Sequence, residues 1–390
     1  MSLEIQPDQD KVWFNLGVEL LNKRCFDEAL EAFERANELK PGNYEVWVNQ
    51  GYVLSNLGRF DEALAACDQA LVFQPNFHGA WCNRGIALRL LGRNLEALEA
   101  FEQALKLMPD LHEAWENRGL TLLTLERFEE ALANLDNAVK LKSDDSNAWY
   151  FRSDALLKLE RYEDALASIE QSLKLKADFS AAWNIRGFAL DELGRYDQAI
   201  ASYDKAIEFQ KENFEAWYNR GLTLLTLERF EEAIASNERA IEFQDDFPQA
   251  WCNLGFSLMN LGRFEEALAS FDRSLKFQRD LPQAWYNRAN TLLSLKRFEE
   301  ALTSYDKYDQ VCPDDSDTFY GKACCYAQLL HIEQAVFNLQ QAINLSPNQY
   351  QDMAKTDSDF DNIRSDEQFQ ALIKSLSDAN FGRLGNTFAL

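Results

Sequence analysis

The sequence predicts an all-α solenoid built from stacked helix pairs, and three observations carry the prediction. Tryptophan recurs at 13, 47, 81, 115, 149, 183, 217, 251 and 285, always 34 residues apart, and Phe319 takes the next place. Alanine keeps the same interval without a miss from Ala29 to Ala335. No insertion disturbs either series, so one supersecondary unit repeats ten times, each copy leaning on its neighbours. A chain of 390 residues would otherwise be expected to form two or three globular domains. The period overrides that expectation.

With each repeat numbered so that its tryptophan is position 4, the ten repeats fill residues 10–349. Positions 4, 8, 11 and 14, as in Trp217, Gly221, Leu224 and Leu227, fall at helical spacing and mark the buried face of a first helix. Leu-Gly-Arg at 57–59, 91–93, 193–195 and 261–263 makes the turn that follows, its glycine free to take a left-handed conformation. Glu126, Glu160 and Glu228 stand in place of that glycine in repeats 4, 5 and 7. Acids at positions 18 and 19 then lie in the first turn of a second helix, where the helix dipole favours negative charge. Small residues at positions 8 and 20 let the paired helices approach, with tryptophan filling the gap beside them. Arginine at position 7 is expected to lay its stem on apolar surface and reach a carbonyl or carboxylate of a neighbouring repeat. Pro7, Pro41, Pro75, Pro109, Pro313 and Pro347 close second helices at position 32, while Pro248 and Pro282 open first helices, where a missing N–H costs nothing.

The same residues carry a family resemblance. Trp, Gly four on, Leu seven on, Ala sixteen on, an aromatic or aliphatic residue twenty on and often Pro twenty-eight on resemble the tetratricopeptide repeat (TPR), in phase over roughly residues 1 to 350. That resemblance implies a right-handed α-α superhelix. Residues 1–9 read as the remnant of a preceding repeat, because Leu3 to Pro7 matches the end of a second helix. The expectation is a chain cut from a longer array, or self-association through the N-terminal edge at Val12 and Leu16. Residues 350–376 read as a capping segment, similar to the closing segments of long bacterial, cyanobacterial-type arrays. From Asp352 it is an acidic loop followed by a helix, opened by a capping box at Ser365 to Gln368 and sealed by Phe369, Leu372 and Ile373. Residues 377–390 read as a tail. A calcium loop beginning near Asp357 fails on Asn362, where glycine is needed, and on Gln368, where a bidentate glutamate is needed.

Composition narrows the function classes. The net charge of −25 disfavours nucleic acid, whose phosphates demand a basic track. Positions 18 and 19 hold 17 acids and positions 7 and 16 hold 14 arginines, so the recurrent frame is nearly neutral and the surplus lies at variable positions. This favours neutral or basic partners. No apolar run approaches the roughly 18 residues of a membrane helix, and Met1 to Pro7 does not read as a signal peptide. Seven cysteines at scattered spacings point to a reducing, cytoplasmic compartment. His78, His112 and His331 lack metal-spaced companions, Cys324-Cys325 is not a redox pair, and phosphate-binding glycine motifs are missing. No cofactor, metal or catalytic role is expected.

The resemblance implies that positions 2, 5, 6, 9, 12 and 13 of the first helices line a concave groove. Position 6 is a column of Asn15, Asn49, Asn83, Asn117, Asn219, Asn253 and Asn287, interrupted at Phe151 and Ile185. Asparagine is a mediocre helix former, and its amide can bond a peptide backbone irrespective of sequence. The column resembles the asparagine ladder of the O-linked N-acetylglucosamine transferase array. The alternative is that these amides bond adjacent repeats and hold the helices in register. Aromatic residues run beside them: Phe14, Tyr52, Tyr150, Phe188, Tyr218, Phe256 and Tyr286, suited to a protein-binding surface. Asp154, Asp191 and Glu192 turn the lining acidic at the interruption. The lining has few cations (Lys11, Arg89 and Lys158) and departs from the lysine- and arginine-rich carboxylate clamp of chaperone-binding TPR proteins. The expected function is a non-enzymatic scaffold that binds a protein or peptide in the groove. A self-assembling structural array, and the substrate-recruiting arm of a glycosyltransferase or kinase whose catalytic part lies elsewhere, are the alternatives.

Overall fold

A computed structural model describes residues 8–374. Among them every regular element is helical. Each repeat places a first helix of 13 or 14 residues before a second of 12 to 14, as in Tyr44–Asn56 followed by Phe60–Phe73. The chain divides at 198/199 into two units, each of which is a TPR solenoid of consecutively packed helix pairs.

The turn within a repeat has one conformation throughout. Position 15 has positive φ in all ten copies, between 56° and 75°, whether it is glycine (Gly58, Gly92, Gly194, Gly262) or another residue (Arg24, Glu126, Glu160, Glu228, Lys296, Leu330). The position-16 N–H then bonds back five residues, as Arg59 N to the Leu54 carbonyl at 2.9 Å, and closes the first helix. Position 16 arginine opens the second helix and pairs with the acid at position 19: Arg59 with Glu62 and Arg93 with Glu96, each with one bond of 2.6 Å. The acids expected in the first helical turn therefore have a specific partner as well as the dipole.

Between the helices of a pair, position 20 alanine is fully buried in every repeat. Position 8 is small because position 24 needs its room. A Cβ on Gly85 would sit 2.5 Å from the Phe101 ring, and one on Gly119 would sit 2.7 Å from Leu135. Phe33, Phe101, Leu135 and Phe271 fill these spaces and are fully buried. The tryptophans expected there stand further out and are only half-buried. Instead they join one repeat to the next: eight indole N–H groups, from Trp47 to Trp285, each donate to the carbonyl six residues earlier, at 2.7 to 3.0 Å. That carbonyl lies at position 32 of the preceding repeat, just past its second helix. Proline is common there because the helix has ended and no N–H is wanted.

The C-terminal end differs from the sequence reading. Residues expected to begin an acidic loop at Asp352 belong to a helix, Pro347–Thr356, in which Pro347 is an opening residue and not the close of its predecessor. A 3-10 turn, Ser358–Ile363, follows, and residues 367–374 are helical. The cap of that last helix is Asp366, not Ser365: Asp366 Oδ1 accepts from Gln368 N at 2.8 Å and Phe369 N at 3.3 Å. Phe360, Ile363, Phe369 and Leu372 are buried against repeat 10, with Ile373 packed beside them. Burial of each large side chain contributes about 1.5–3 kcal/mol. Tyr320 Oη donates to Asp357 at 2.7 Å and Gln328 Nε2 to the Asp359 carbonyl at 2.8 Å, fixing the segment in register. Of the expected N-terminal remnant, residues 1–9, only Asp8 and Gln9 are described, and they open the first helix, Gln9–Asn22, instead of closing an earlier repeat; the rest of it and the tail, 377–390, lie outside the described residues. No helix among the described residues is long and apolar enough to cross a membrane.

Candidate binding groove

The asparagine column sits on the first helices, and its members have different surroundings. Asn49 and Asn117 each donate Nδ2 to the carbonyl four residues back in their own helix, at 2.8 and 2.9 Å. Asn83 donates instead across the repeat boundary to the Val48 carbonyl, at 3.2 Å. Asn253 Nδ2 is buried and meets no acceptor at hydrogen-bonding geometry, although its amide lies near the Tyr218 phenol. Asn287 lies against the Cys252 thiol. Asn15 is exposed, and Asn219 is partly exposed. An amide nitrogen carries two hydrogens, so a single backbone bond at Asn49, Asn83 or Asn117 leaves a second donor and the carbonyl oxygen.

The aromatic residues fall into two sets. At position 5, Tyr150 packs on Phe179 with ring centroids 5.0 Å apart, and Tyr218 on Phe247 at 4.7 Å. Tyr286 lies 5.4 Å from Tyr308, and Phe14 lies 6.0 Å from Phe33. These rings are held by the chain itself. At position 9, Tyr52 is 45% exposed and Phe188 38% exposed, and Phe256 is partly buried. Tyr52 also lines a hollow of about 410 Å³ with Leu21, Asn22, Arg24, Phe26 and Asn56. No repeat carries a ring at both positions: the position-5 rings are fixed by packing, and the position-9 rings leave apolar area uncovered.

Glu116, which sequence reasoning did not single out, lies at position 5 of repeat 4, in a column of aromatic and small side chains. Burial pushes its carboxyl up to about 7, Asp145 adds to the shift, and Lys142 opposes it. Burial likewise raises Asp154, at position 9 of repeat 5, above the usual carboxylate range. It lowers Arg89, with Glu116 as the opposing influence. Lys142 lies 3.4 Å from both Asp145 and the His112 ring. The clue in the sequence was a carboxylate at a position otherwise free of charge in the other nine repeats.

Cys324, Asp357 and Asp359 bring one ligand atom each within 4.8 Å of one another. They fit a metal poorly. Burial holds the Cys324 thiol well above its ordinary range, which favours the neutral form, and Asp357 already accepts from Tyr320 and from its own turn. All seven cysteines are free thiols.

Comparison with solved structures returns helical repeat proteins. A TPR protein described as having an unusual peptide-binding site, YrrB, is 23% identical over 47% of this chain and 95% of its own, with a TM-score of 0.42. PilF of Pseudomonas aeruginosa is 20% identical over 54% and 98%, at 0.49. The Cut9–Hcn1 hetero-tetramer structure matches over 94% and 96% at 13% identity, with a TM-score of 0.44. No curated protein matches the chain in sequence. Sequence profiles described as tetratricopeptide repeat match residues 14–77, 117–178 and 252–316, then 79–111 and 214–247, then 316–349, and one described as TPR repeat matches 189–228. With these matches covering most of the sequence and the helix pairs repeating in the same phase, the chain belongs to the tetratricopeptide repeat family.

Proposed function

We propose that the chain is a non-enzymatic scaffold whose first helices hold an extended protein or peptide segment, neutral to basic in charge. The observation that carries this reading is the pairing, on the same side of one first helix, of an asparagine amide at position 6 with an open ring at position 9: Asn49 with Tyr52, and Asn253 with Phe256. The amides offer donors and acceptors to any backbone, while the rings offer pockets for side chains. Glu116 and Asp154 bias the lining toward cationic residues. Nucleic acid and membrane lipid are disfavoured by the same acidity, and free thiols suit a reducing, cytoplasmic setting. The fold is one that commonly mediates protein–protein interaction.

The test is selection of binders from a displayed library of unstructured peptides, followed by titration of the best against variants. Replacing Asn219, Asn253 and Asn287 together by Ala should leave helicity intact and weaken binding at least tenfold. Undiminished affinity in a folded triple variant would return the column to holding helices in register. Failure to select any peptide would remove the proposal.

A further inference from the structure

A second, independent feature lies where one repeat's second helix meets the next repeat. Four tryptophans carry an arginine from position 7 of their own helix. The guanidinium carbons of Arg84, Arg152, Arg186 and Arg288 lie 5.7, 5.8, 5.6 and 5.9 Å from the rings of Trp81, Trp149, Trp183 and Trp285. Each of these arginines also reaches an acid sixteen residues earlier, in the preceding repeat. The contacts are to Asp68 at 2.8 Å, Asp136 at 2.6 Å, Glu170 at 3.6 Å and Asp272 at 2.7 Å. Arg288 further donates to Ser304 Oγ at 2.6 Å. Repeat 8 fills the same place by another route. Position 7 there is Leu254, and Arg273 of the second helix covers Trp251 at 5.8 Å while bonding Asp245 at 2.7 Å. Two different solutions put a guanidinium over the ring.

Repeat 2 has neither. Position 7 is Gln50, buried, its Oε1 accepting from Asn37 Nδ2 at 2.7 Å. Position 23, a serine in repeats 5 to 9, is Ala66. Trp47 keeps its bond to the Pro41 carbonyl at 3.0 Å, but no cation lies over its ring among the described residues. Glu34, sixteen residues before Gln50, occupies the place of the paired acids in the other repeats; it makes no ion-pair contact among the described residues, and Arg59, held by Glu62, is the cation near enough to interact with it. A groove of about 720 Å³ opens here, lined by Glu34, Glu38, Trp47, Gln50, Glu62 and Ala66 among others. Hollows of about 650 and 570 Å³ lie beside Trp81 and Trp285, where the arginine is present, so repeat 2 differs in its uncovered ring and unpaired acid and not in room. Arg59 is the one cation in that lining, and its Nε and Nη2 bond Glu62 at 2.7 and 2.6 Å. The volume falls in the range of ordinary ligand sites.

We propose that this groove is a docking slot for an arginine side chain of a partner protein, its guanidinium lying over Trp47 and paired with Glu34. The occupant is argued from the molecule itself. At four repeats the corresponding ring and acid already hold an arginine, and at repeat 2 the ring and the acid are present without one. Of the three lining glutamates, Glu38 is paired with Arg35 and Glu62 with Arg59, which leaves Glu34 as the carboxylate that gives charge complementarity to a basic group. Planarity and stacking make arginine the preferred cation over lysine. None of the positions assigned to the asparagine groove contributes to this slot, so the two sites stand or fall separately.

The experiment follows the ¹⁵N indole resonance of Trp47, assigned from Trp47→Phe, in the full chain. The probes are N-acetyl-arginine amide, N-acetyl-lysine amide and N-acetyl-citrulline amide. The arginine probe should shift Trp47 saturably, the lysine probe more weakly and the neutral probe not at all. Glu34→Gln should weaken the arginine response by about threefold, the size expected for losing one exposed charge pair. The triple variant Asn37→Leu, Gln50→Arg, Ala66→Ser gives repeats 1 and 2 the residues found at these places in repeats 8 and 9, Leu275, Arg288 and Ser304. It should abolish the response and raise the unfolding midpoint, because the chain then fills its own slot. No shift of Trp47 at tens of millimolar arginine probe would overturn the proposal. So would an equal shift of all the indoles, or a response that survives in the folded triple variant.

Discussion

The left-handed residue at position 15 offers a perturbation whose magnitude can be worked out and whose control is built into the chain. Glu126, Glu160 and Glu228 hold φ of 57°, 57° and 56°, and all three side chains are exposed. A residue with a Cβ is disfavoured there by roughly 1–2 kcal/mol. Glycine removes that cost but loses about 0.5–1 kcal/mol more backbone freedom on folding. The difference is a gain of about 0.5–1 kcal/mol per site for Glu→Gly, or about 1.5–3 kcal/mol for the triple variant, since sites this far apart add. The reverse change isolates the same quantity. A Cβ on Gly58, Gly92, Gly194 or Gly262 meets nothing within 4 Å, so Gly→Ala costs conformation alone, about 1 kcal/mol. Urea unfolding followed by far-UV circular dichroism, with the slope checked for constancy, measures both directions. Neutral Gly58→Ala and Gly92→Ala variants, together with an unimproved triple Glu→Gly variant, would refute the reasoning.

Two further outcomes rest on the packing. Gly85→Ala should destabilise by about 1–3 kcal/mol, because its Cβ would overlap the buried Phe101 ring, and the double variant Gly85→Ala, Phe101→Leu should recover part of that loss in the same assay. Trp149→Ala removes a ring that bonds Ser143 and carries Arg152 and should cost about 3 kcal/mol, more than Trp13→Ala at a ring 37% exposed; equal costs by denaturant titration would contradict the inter-repeat role.

How much was legible in the sequence follows from which forces repeat. The period, the helix pairs and the left-handed turn all recur at fixed positions, so ten copies averaged out the noise of any one. The same holds for arginine at position 7: its expected partner was a carbonyl or carboxylate of a neighbouring repeat, and in the structure Asp68, Asp136, Asp204 and Asp272 play that part. Tryptophan misled because size suggests burial. Its N–H pulls the ring toward the carbonyl beyond the preceding helix, and the buried volume goes to position 24 instead. The end of the array was harder to read, since Pro347 to Leu372 occurs once and has no copy to compare. There the acidic run around Asp352 hid a helix whose apolar side, through Tyr350 and Ala354, is buried. Within the groove, residue types gave the candidate rings, but only coordinates separate the rings packed on loops from Tyr52 and Phe188. Glu116 was legible as an exception, a lone acid in its column, but its burial was not.

That exception leads to a pH dependence with a definite sign. Burial raises Glu116 from the ordinary glutamate value to about 7, so the fold favours its neutral form. The stability contributed by that preference is fully present below the unfolded pKa, near 4.5, and is lost as pH rises through about 7. The charged groups around it are Arg89 and Lys142, which favour ionisation, and Glu113 and Asp145, which oppose it; His112 lies on Lys142. Glu116→Gln should therefore be the more stable protein at pH 8 by about 1–3 kcal/mol, and the advantage should vanish by pH 5. Binding should move the other way. Ionising Glu116 adds a negative charge to the groove, so an arginine-containing peptide, whose own charge does not change in this range, should bind about two- to fivefold more tightly at pH 8 than at pH 6. Glu116→Gln should flatten that slope, and His112→Gln, which removes the imidazole lying on Lys142, should leave it in place. A slope that persists in Glu116→Gln and disappears in His112→Gln would assign the effect to the histidine and show that the buried carboxyl does not face the ligand.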